Sequence, residues 1–472
     1  VRESGIVVIG GGIAGVTAAL EAAEAGYDVT IVEQNPYLGG RVAQLYRYFP
    51  KLCPPYCGLE INFRRIRDNP RVRFHTMARV ERIAGGPGNF DVTVTLAPRF
   101  VNDRCTACNA CVPVCPVERP DEFNFGLGTT RAIYLAHELA FPMKYAIDAS
   151  VCRLTECARC VDACEYGAID LAMTPRTLTL RAGAVVVATG WKPYDASRID
   201  NLGFGTHPDV ITNVMMERLA APNGPTRGRI VRPSNGAEVQ TAVFVQCAGS
   251  RDVNHLGYCS GVCCLASLKE ATYLRERNPH SRAHVFYIDL RTPGTYEHFA
   301  RKVLSDEGIT VQKGKVARIA ADRATGKLVV EAEDVRSARK IELRSVDLVV
   351  LASGMVSSLA DGAPGGPVAL DRDGFVIDAP GTDGIFAAGC AKGPFDVATS
   401  VQDATAAAAQ AIETIRSLGG GLRQSTDRKG YAPSNSPADA RRSSEARSSL
   451  PPPVDCAGEA RARTRPPTGA TG

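Results

Sequence analysis

Residues 5–34, GIVVIGGGIAGVTAALEAAEAGYDVTIVEQ, decide the fold. A β-branched run ends at Ile9, glycines follow, an alanine-rich segment comes next, and a second β-branched run reaches Val32. The order predicts strand, turn, helix, strand. Gly10, Gly12 and Gly15 spell G-x-G-x-x-G at the strand–helix junction, and Glu33 closes the next strand 18 residues after Gly15. In such a unit the first glycine makes the turn and the second admits a pyrophosphate to the helix N-terminus. The third packs helix on strand, and the acid accepts ribose hydroxyls. The expected dinucleotide-binding segment also takes in Ile13, Ala14 and Gln34.

The chain is 472 residues long, which predicts two or three domains. A net charge of +5 spread over that length is a poor signal for a nucleic-acid partner. The apolar start is punctuated by glycines and preceded by Arg2 and Glu3, unlike an export signal, and nothing reads as a membrane span. A cytoplasmic protein is expected. Of sixteen cysteines, fifteen lie between Cys53 and Cys390, many in tight groups. That arrangement favours metal or redox use over a disulfide framework.

Cys105-x2-Cys108-x2-Cys111-x3-Cys115-Pro116 has the spacing of a bacterial ferredoxin run, and Cys152-x4-Cys157-x2-Cys160-x3-Cys164 follows it. In such runs three thiolates wrap one cubane while the fourth turns to its neighbour. Two [4Fe–4S] clusters are expected, one on Cys105, Cys108, Cys111 and Cys164, the other on Cys115, Cys152, Cys157 and Cys160. Four-cysteine zinc sites are the alternative. Cys53 and Cys57 flank Pro54-Pro55-Tyr56, and Cys259, Cys263 and Cys264 stand in GYCSGVCCLASLKEA with Cys247 upstream. The paired cysteines at a helix start can present a thiolate to a metal; several of this group also fit as small buried apolar side chains.

Further motifs carry a resemblance to the two-dinucleotide-domain flavoproteins. Gly39-Gly40-Arg41 follows the second strand, Ala188-Thr189-Gly190 sits in AVVVATGW, and Gly389-Cys390 lies in FAAGCAKGPFDV before a closing helix. The resemblance implies FAD at the first site, with Cys390 where such proteins usually have Asp. FPKLCPPYCGLEIN, VFVQCAGSRDVN, YCSGVCCLASLKEA, YIDLRTPGTYEHF and FAAGCAKGPFDV together resemble the A-subunit family of heterodisulfide reductases and its relatives in bacterial sulfur-oxidation complexes. This likeness spans residues 4–418. It implies a thioredoxin-reductase-like α/β core, Rossmann-like in both dinucleotide domains, with an inserted α+β ferredoxin-like domain. It also implies one more cluster near the flavin, drawing on Cys53, Cys57, Cys259, Cys263 and Cys264.

The expected organisation is an FAD-binding domain in three parts (1–97, 172–240 and 351–419), interrupted by the ferredoxin-like insertion at 98–171. A second dinucleotide fold occupies 241–350, and 420–472, rich in Ser, Pro, Arg and Gly, is expected to be disordered. At the nicotinamide position the chain reads Gln246-Cys247-Ala248-Gly249-Ser250-Arg251, without a glycine fingerprint. A bound nicotinamide is therefore not expected. The resulting expectation is an electron-transfer oxidoreductase subunit. It would relay electrons between FAD, clusters and partner subunits of a heterodisulfide reductase-like complex or small electron carriers, and a homodimer is compatible with that role. The alternative is a stand-alone flavin disulfide reductase with Cys53 and Cys57 as its redox pair.

Overall fold

Strand Ile6–Ile9 is buried along its whole length and lies at the centre of a five-stranded parallel sheet. The order is Ile385–Ala387, Ala184–Val187, Ile6–Ile9, Val29–Val32, Val72–His75. Such strands are apolar on both faces because both faces are covered. Helices Ile13–Glu24 and Val397–Ser417 pack alanine against alanine on one face, joined to the sheet through Val8, Ile31 and Val186. The other face carries a smaller sheet of Arg2–Glu3, Arg176–Ala182, Asn89–Leu96 and Ala78–Gly86, with Val7, Val185, Phe90 and Val92 between the two. The computed structural model describes residues 2–3, 5–49 and 52–419. The disorder expected for 420–472 therefore concerns residues outside those described.

A second sheet has seven strands in the order Val210–Thr212, Leu348–Ser353, Thr241–Ala248, Arg282–Tyr287, Ile309–Ala321, Leu328–Asp334, Arg339–Val346. The first five run parallel and the last two return antiparallel. Helices Asn213–Ala220, Cys263–Arg277 and Tyr296–Leu304 cover one face through Met216, Leu268, Tyr273 and Ala300. This sheet starts at residue 210, upstream of the 241 read from the sequence, because Val210–Thr212 pairs with Leu348–Ser353.

Between the strands Asn89–Leu96 and Arg176–Ala182 the chain leaves the sheets. It forms short ribbons, Glu118–Pro120 with Thr129–Arg131 and Ile133–Tyr134 with Ala146–Ile147. The core here is small, and cysteines are part of it: Cys111, Cys115 and Cys160 pack with Phe100, Ile133 and Ile147. A core this thin needs a bound centre to hold it, as small metal domains do. Among the described residues no helix is long and apolar enough to cross a membrane.

Candidate functional site

The glycine turn, Glu33, and the middle and closing motifs converge on one cavity of about 1100 Å³. Gly10, Gly12, Ile13, Ala14, Glu33, Gln34, Gly40, Arg41, Ala188, Thr189, Gly190 and Cys390 line it. Gly15, Gly39 and Gly389 stand behind the wall and shape it. A Cβ on Gly10, whose φ is +107°, would lie 2.3 Å from the Ala188 carbonyl oxygen, and one on Gly15 would lie 1.9 Å from that of Gly10. Only glycine permits both approaches. Gly39 donates its N–H to the Gly11 carbonyl at 2.8 Å, which brings the second glycine pair beside the first. At the far end Gly389 donates to Asp403 Oδ2 at 2.8 Å, and the Cys390 thiol bonds the Phe395 carbonyl at 3.3 Å.

Glu33 is buried, its Oε2 accepting from Gly11 N at 2.6 Å and its Oε1 from Asn35 N at 2.7 Å. Burial raises its pKa, and the bonds from Asn35 and Gly11 oppose the rise. Arg41 donates to the Trp191 carbonyl at 3.2 Å and to Gln44 Oε1 at 3.0 Å, and lies over the Phe125 ring. Burial weakens its hold on its proton, so an anion beside it is favoured. Thr189 Oγ1 is buried with no hydrogen-bond partner and faces this cavity; Arg119 lines it too, its Nε 3.5 Å from Asp148 Oδ2. An unsatisfied hydroxyl, a glycine cradle and an acid at the second strand end fit the pyrophosphate and ribose of FAD.

Part of this wall was not read from the sequence. Arg119, Glu122, Phe123, Phe125 and Tyr134, all from the cysteine-rich insertion, line the dinucleotide cavity. No sequence period marks them, since the contact is made by tertiary folding.

The eight cysteines of the insertion fall into two sets. Cys105, Cys108, Cys111 and Cys164 line one small cavity, and Cys115, Cys152, Cys157 and Cys160 line another, with Ile133 in the wall of both. The two sets interleave as bacterial ferredoxin runs do. Non-glycine residues adopt left-handed backbone at Ala107, Asn109, Leu154 and Ala158, with φ between +47° and +68°. These turns are local strain placed next to the thiols. Backbone N–H groups of Leu154 and Ala168 each point at a sulfur, Cys152 and Cys164 respectively, at 3.3 Å. Burial and neighbouring cysteines push the Cys111 thiol up to about 12 and the Cys160 thiol to about 11. A bound cationic centre reverses that preference, because coordinated thiols are deprotonated. Among the described residues no three or more His, Cys, Asp or Glu side chains are grouped to hold a metal ion. The four-fold cavities are the arrangement the thiols do adopt.

The remaining cysteines fall in two places. Cys259, Cys263 and Cys264 are electrostatic neighbours of Cys247, at the end of strand Thr241–Ala248. Cys247 has φ +57°, beside the bulge that separates Val245 from Ala248. Arg251 reaches the Cys247 sulfur, and the amide of the adjacent, buried Gln246 has no hydrogen-bond partner. Cys53 and Cys57 are grouped with Tyr48, whose hydroxyl burial, and after it the two thiols, holds above its ordinary pKa. Neither lines the dinucleotide cavity, where Cys390 is the cysteine of the wall. Cys247-x11-Cys259-x3-Cys263-Cys264 is a readable run; a single cysteine ending a buried strand hid it. His255 is engaged elsewhere, its Nδ1 2.7 Å from the Tyr194 hydroxyl.

Fold and motifs define an FAD-dependent oxidoreductase with a 4Fe–4S domain. Residues 5–56 match the family model described as FAD dependent oxidoreductase, and residues 98–118 match the 4Fe-4S binding domain. Over most of its length the chain is similar to proteins named as the A-subunit of heterodisulfide reductase. It is 37% identical over 428 residues to the iron-sulfur A-subunit of the CoB–CoM heterodisulfide reductase of Methanocaldococcus jannaschii, covering 86% of this chain and 63% of that one. It is 38% identical over 427 residues to the A-subunit of the ferredoxin:CoB-CoM heterodisulfide reductase of Methanosarcina mazei, covering 87% and 53%. The chain thus spans between about half and two thirds of these relatives. The thioredoxin reductase of T. acidophilum shares the fold, with a TM-score of 0.50 at 14% identity over 89% of this chain and 100% of that one.

Proposed function

We propose that this chain is the flavin- and iron–sulfur-carrying electron-transfer subunit of a heterodisulfide reductase-like complex, working with partner subunits or small electron carriers on disulfide or other sulfur substrates. The observation that carries the reading is the shared wall: residues 119–136 of the cysteine-rich insertion and the glycine turn border one cavity. Flavin and clusters, when bound, supply two-electron and one-electron chemistry respectively, and can exchange electrons only where they lie close together.

In this reading the glycine turn, Glu33, Arg41 and Thr189 hold FAD. Cys105, Cys108, Cys111 and Cys164 hold one [4Fe–4S] cluster, and Cys115, Cys152, Cys157 and Cys160 a second. A third belongs to Cys247, Cys259, Cys263 and Cys264, with Cys53 and Cys57 outside it. The proximity of Cys247 to the other three supports that revision. The described cysteines are all free thiols, which agrees with a cytoplasmic setting. Iron, acid-labile sulfide and flavin per chain test the proposal: about twelve irons and one FAD are expected. Rapid turnover of NADH or NADPH by the isolated chain would count against it.

A further inference from the structure

Helix Cys263–Arg277 carries a polar line that the cofactor sites leave unused. Ser267 and Glu270 follow Cys263 at four and seven residues, the spacing of one helix face, and both are fully buried. Ser267 Oγ and both Glu270 carboxyl oxygens have no hydrogen-bond donor aimed at them. An ionised carboxylate is strongly disfavoured in such a place. The polar group that Glu270 does meet is the Glu217 carboxylate of helix Asn213–Ala220. Glu217 already has its donors: Lys269 Nζ at 2.9 Å, Tyr46 N at 2.8 Å and the Tyr273 hydroxyl at 3.2 Å. Two carboxyl groups bond each other only when one is protonated. Glu217 accepts from three donors and Glu270 from none, so the proton of the pair is assigned to Glu270.

Burial and the Glu217 charge strengthen that proton's hold, and Lys269 weakens it in part. Tyr273 and Cys263, on the same helix, are the other titratable groups that sense Glu270. The strands Thr241–Ala248, Arg282–Tyr287 and Leu348–Ser353 and the charged helix Tyr296–Leu304, against which this helix packs, add no charge acting on it among the described residues. At the opposite end Lys269 Nζ bonds the Arg47 carbonyl at 2.6 Å, and Lys269, Arg47 and Glu276 line a second cavity of about 570 Å³.

We propose that Glu270 is the inner station of a proton path leading from this second cavity through Lys269 and Glu217 to the redox helix that begins at Cys263. The inference rests on the third centre proposed above, at Cys247, Cys259, Cys263 and Cys264. Loss of one electron from that centre to oxidised FAD is balanced by one proton: the Lys269 ammonium gives a proton to water and is reprotonated, across Glu217, by the proton of Glu270. When an electron returns, one proton from water re-forms the O–H bond on Glu270. Ser267 lies between the carboxyl and Cys263 along the helix. Glu270 is a positioning residue, acting on the centre through the charge it holds or releases.

The test uses the full-length, cofactor-loaded protein, reduced with dithionite and reoxidised with ferricyanide, as wild type, Glu270→Gln and Glu270→Asp. Redox-difference infrared spectra are expected to show a neutral-carboxyl band in the wild type, moved by D2O, shifted in Glu270→Asp and gone from Glu270→Gln. Electron paramagnetic resonance titrations of the centre should show its midpoint falling with pH. The limit is tenfold in the reduced-to-oxidised ratio per pH unit, or about 59 mV for one electron. That slope should persist in Glu270→Asp and flatten in Glu270→Gln. The path is overturned by an unchanged carboxyl band in either variant, or by equal slopes in wild type and Glu270→Gln. Iron counted on the same samples separates the two ideas: about eight irons refutes the third centre, whereas about twelve irons with equal slopes in wild type and Glu270→Gln overturns the Glu270 path alone.

Discussion

Arg218 Nε donates to Asn124 Oδ1 at 2.8 Å, joining a helix of the second dinucleotide fold to the cysteine-rich insertion. Arg218 is completely buried, and it also bonds the Gln44 carbonyl at 3.3 Å and the Asn223 carbonyl at 3.1 Å, and lies over the Phe123 ring. One guanidinium therefore ties three parts of the chain together beside the flavin cavity. Arg218→Ala leaves several buried acceptors unmet. It is expected to cost about 3 kcal/mol of stability and to loosen Phe123 from the cavity wall. Thermal unfolding and flavin retained after gel filtration measure the two effects, and retention equal to wild type would show that the insertion does not shape the cofactor site.

Cys247→Ser and Cys53→Ser separate the two assignments of the flavin-side cysteines. Iron is expected to drop from about twelve to about eight per chain in Cys247→Ser and to stay unchanged in Cys53→Ser and Cys57→Ser. The reverse pattern restores Cys53 and Cys57 as ligands. Loss of disulfide turnover in the latter two variants with full iron would instead favour the stand-alone reductase.

Glu33→Gln keeps the shape of the acid and removes its charge. The charge-assisted bond from Gly11 N at 2.6 Å weakens, and so does the hold on the ribose. Flavin affinity should fall roughly 10- to 100-fold, the equivalent of about 1.5–3 kcal/mol for a hydrogen bond to a charged group. Fluorescence titration of the apoprotein with FAD reads this directly.

The Glu270 carboxyl also sets a pH dependence of stability. Its folded pKa is raised well above the ordinary 4.5. Below 4.5 both the folded and the unfolded chain hold the proton; above it the unfolded chain ionises and the folded one does not, so stability is lost as pH rises toward the folded value. Glu270→Gln removes that loss. Its thermal midpoint is expected to approach wild type near pH 4 and to exceed it increasingly as pH rises above the ordinary carboxyl range. A gap that is constant with pH would place the proton elsewhere.

The first βαβ unit was legible because its evidence is local: Gly10, Gly12, Gly15 and Glu33 lie within one strand–turn–helix–strand, and their period and spacing are in the text of the chain. The closing helix at Val397–Ser417 was equally plain. The interleaving of the insertion cysteines followed from ferredoxin-like spacing, where short loops leave thiols few alternatives. The grouping of Cys247 with Cys259, Cys263 and Cys264 was harder to read, because a strand end and a helix start meet there only after the seven-stranded sheet forms.

By itself, then, the order of residues determined the Rossmann-like α/β architecture, the presence of a cysteine-rich insertion and the chemistry its thiols suit. Tertiary structure alone decided that Arg119, Phe123 and Tyr134 of that insertion face the dinucleotide cavity, that Cys53 and Cys57 stand with Tyr48, and that Glu270 meets Glu217. The physical reason is range: turn glycines and short cysteine loops act within a few residues, whereas contacts between separate sheets and helices depend on which buried faces find each other.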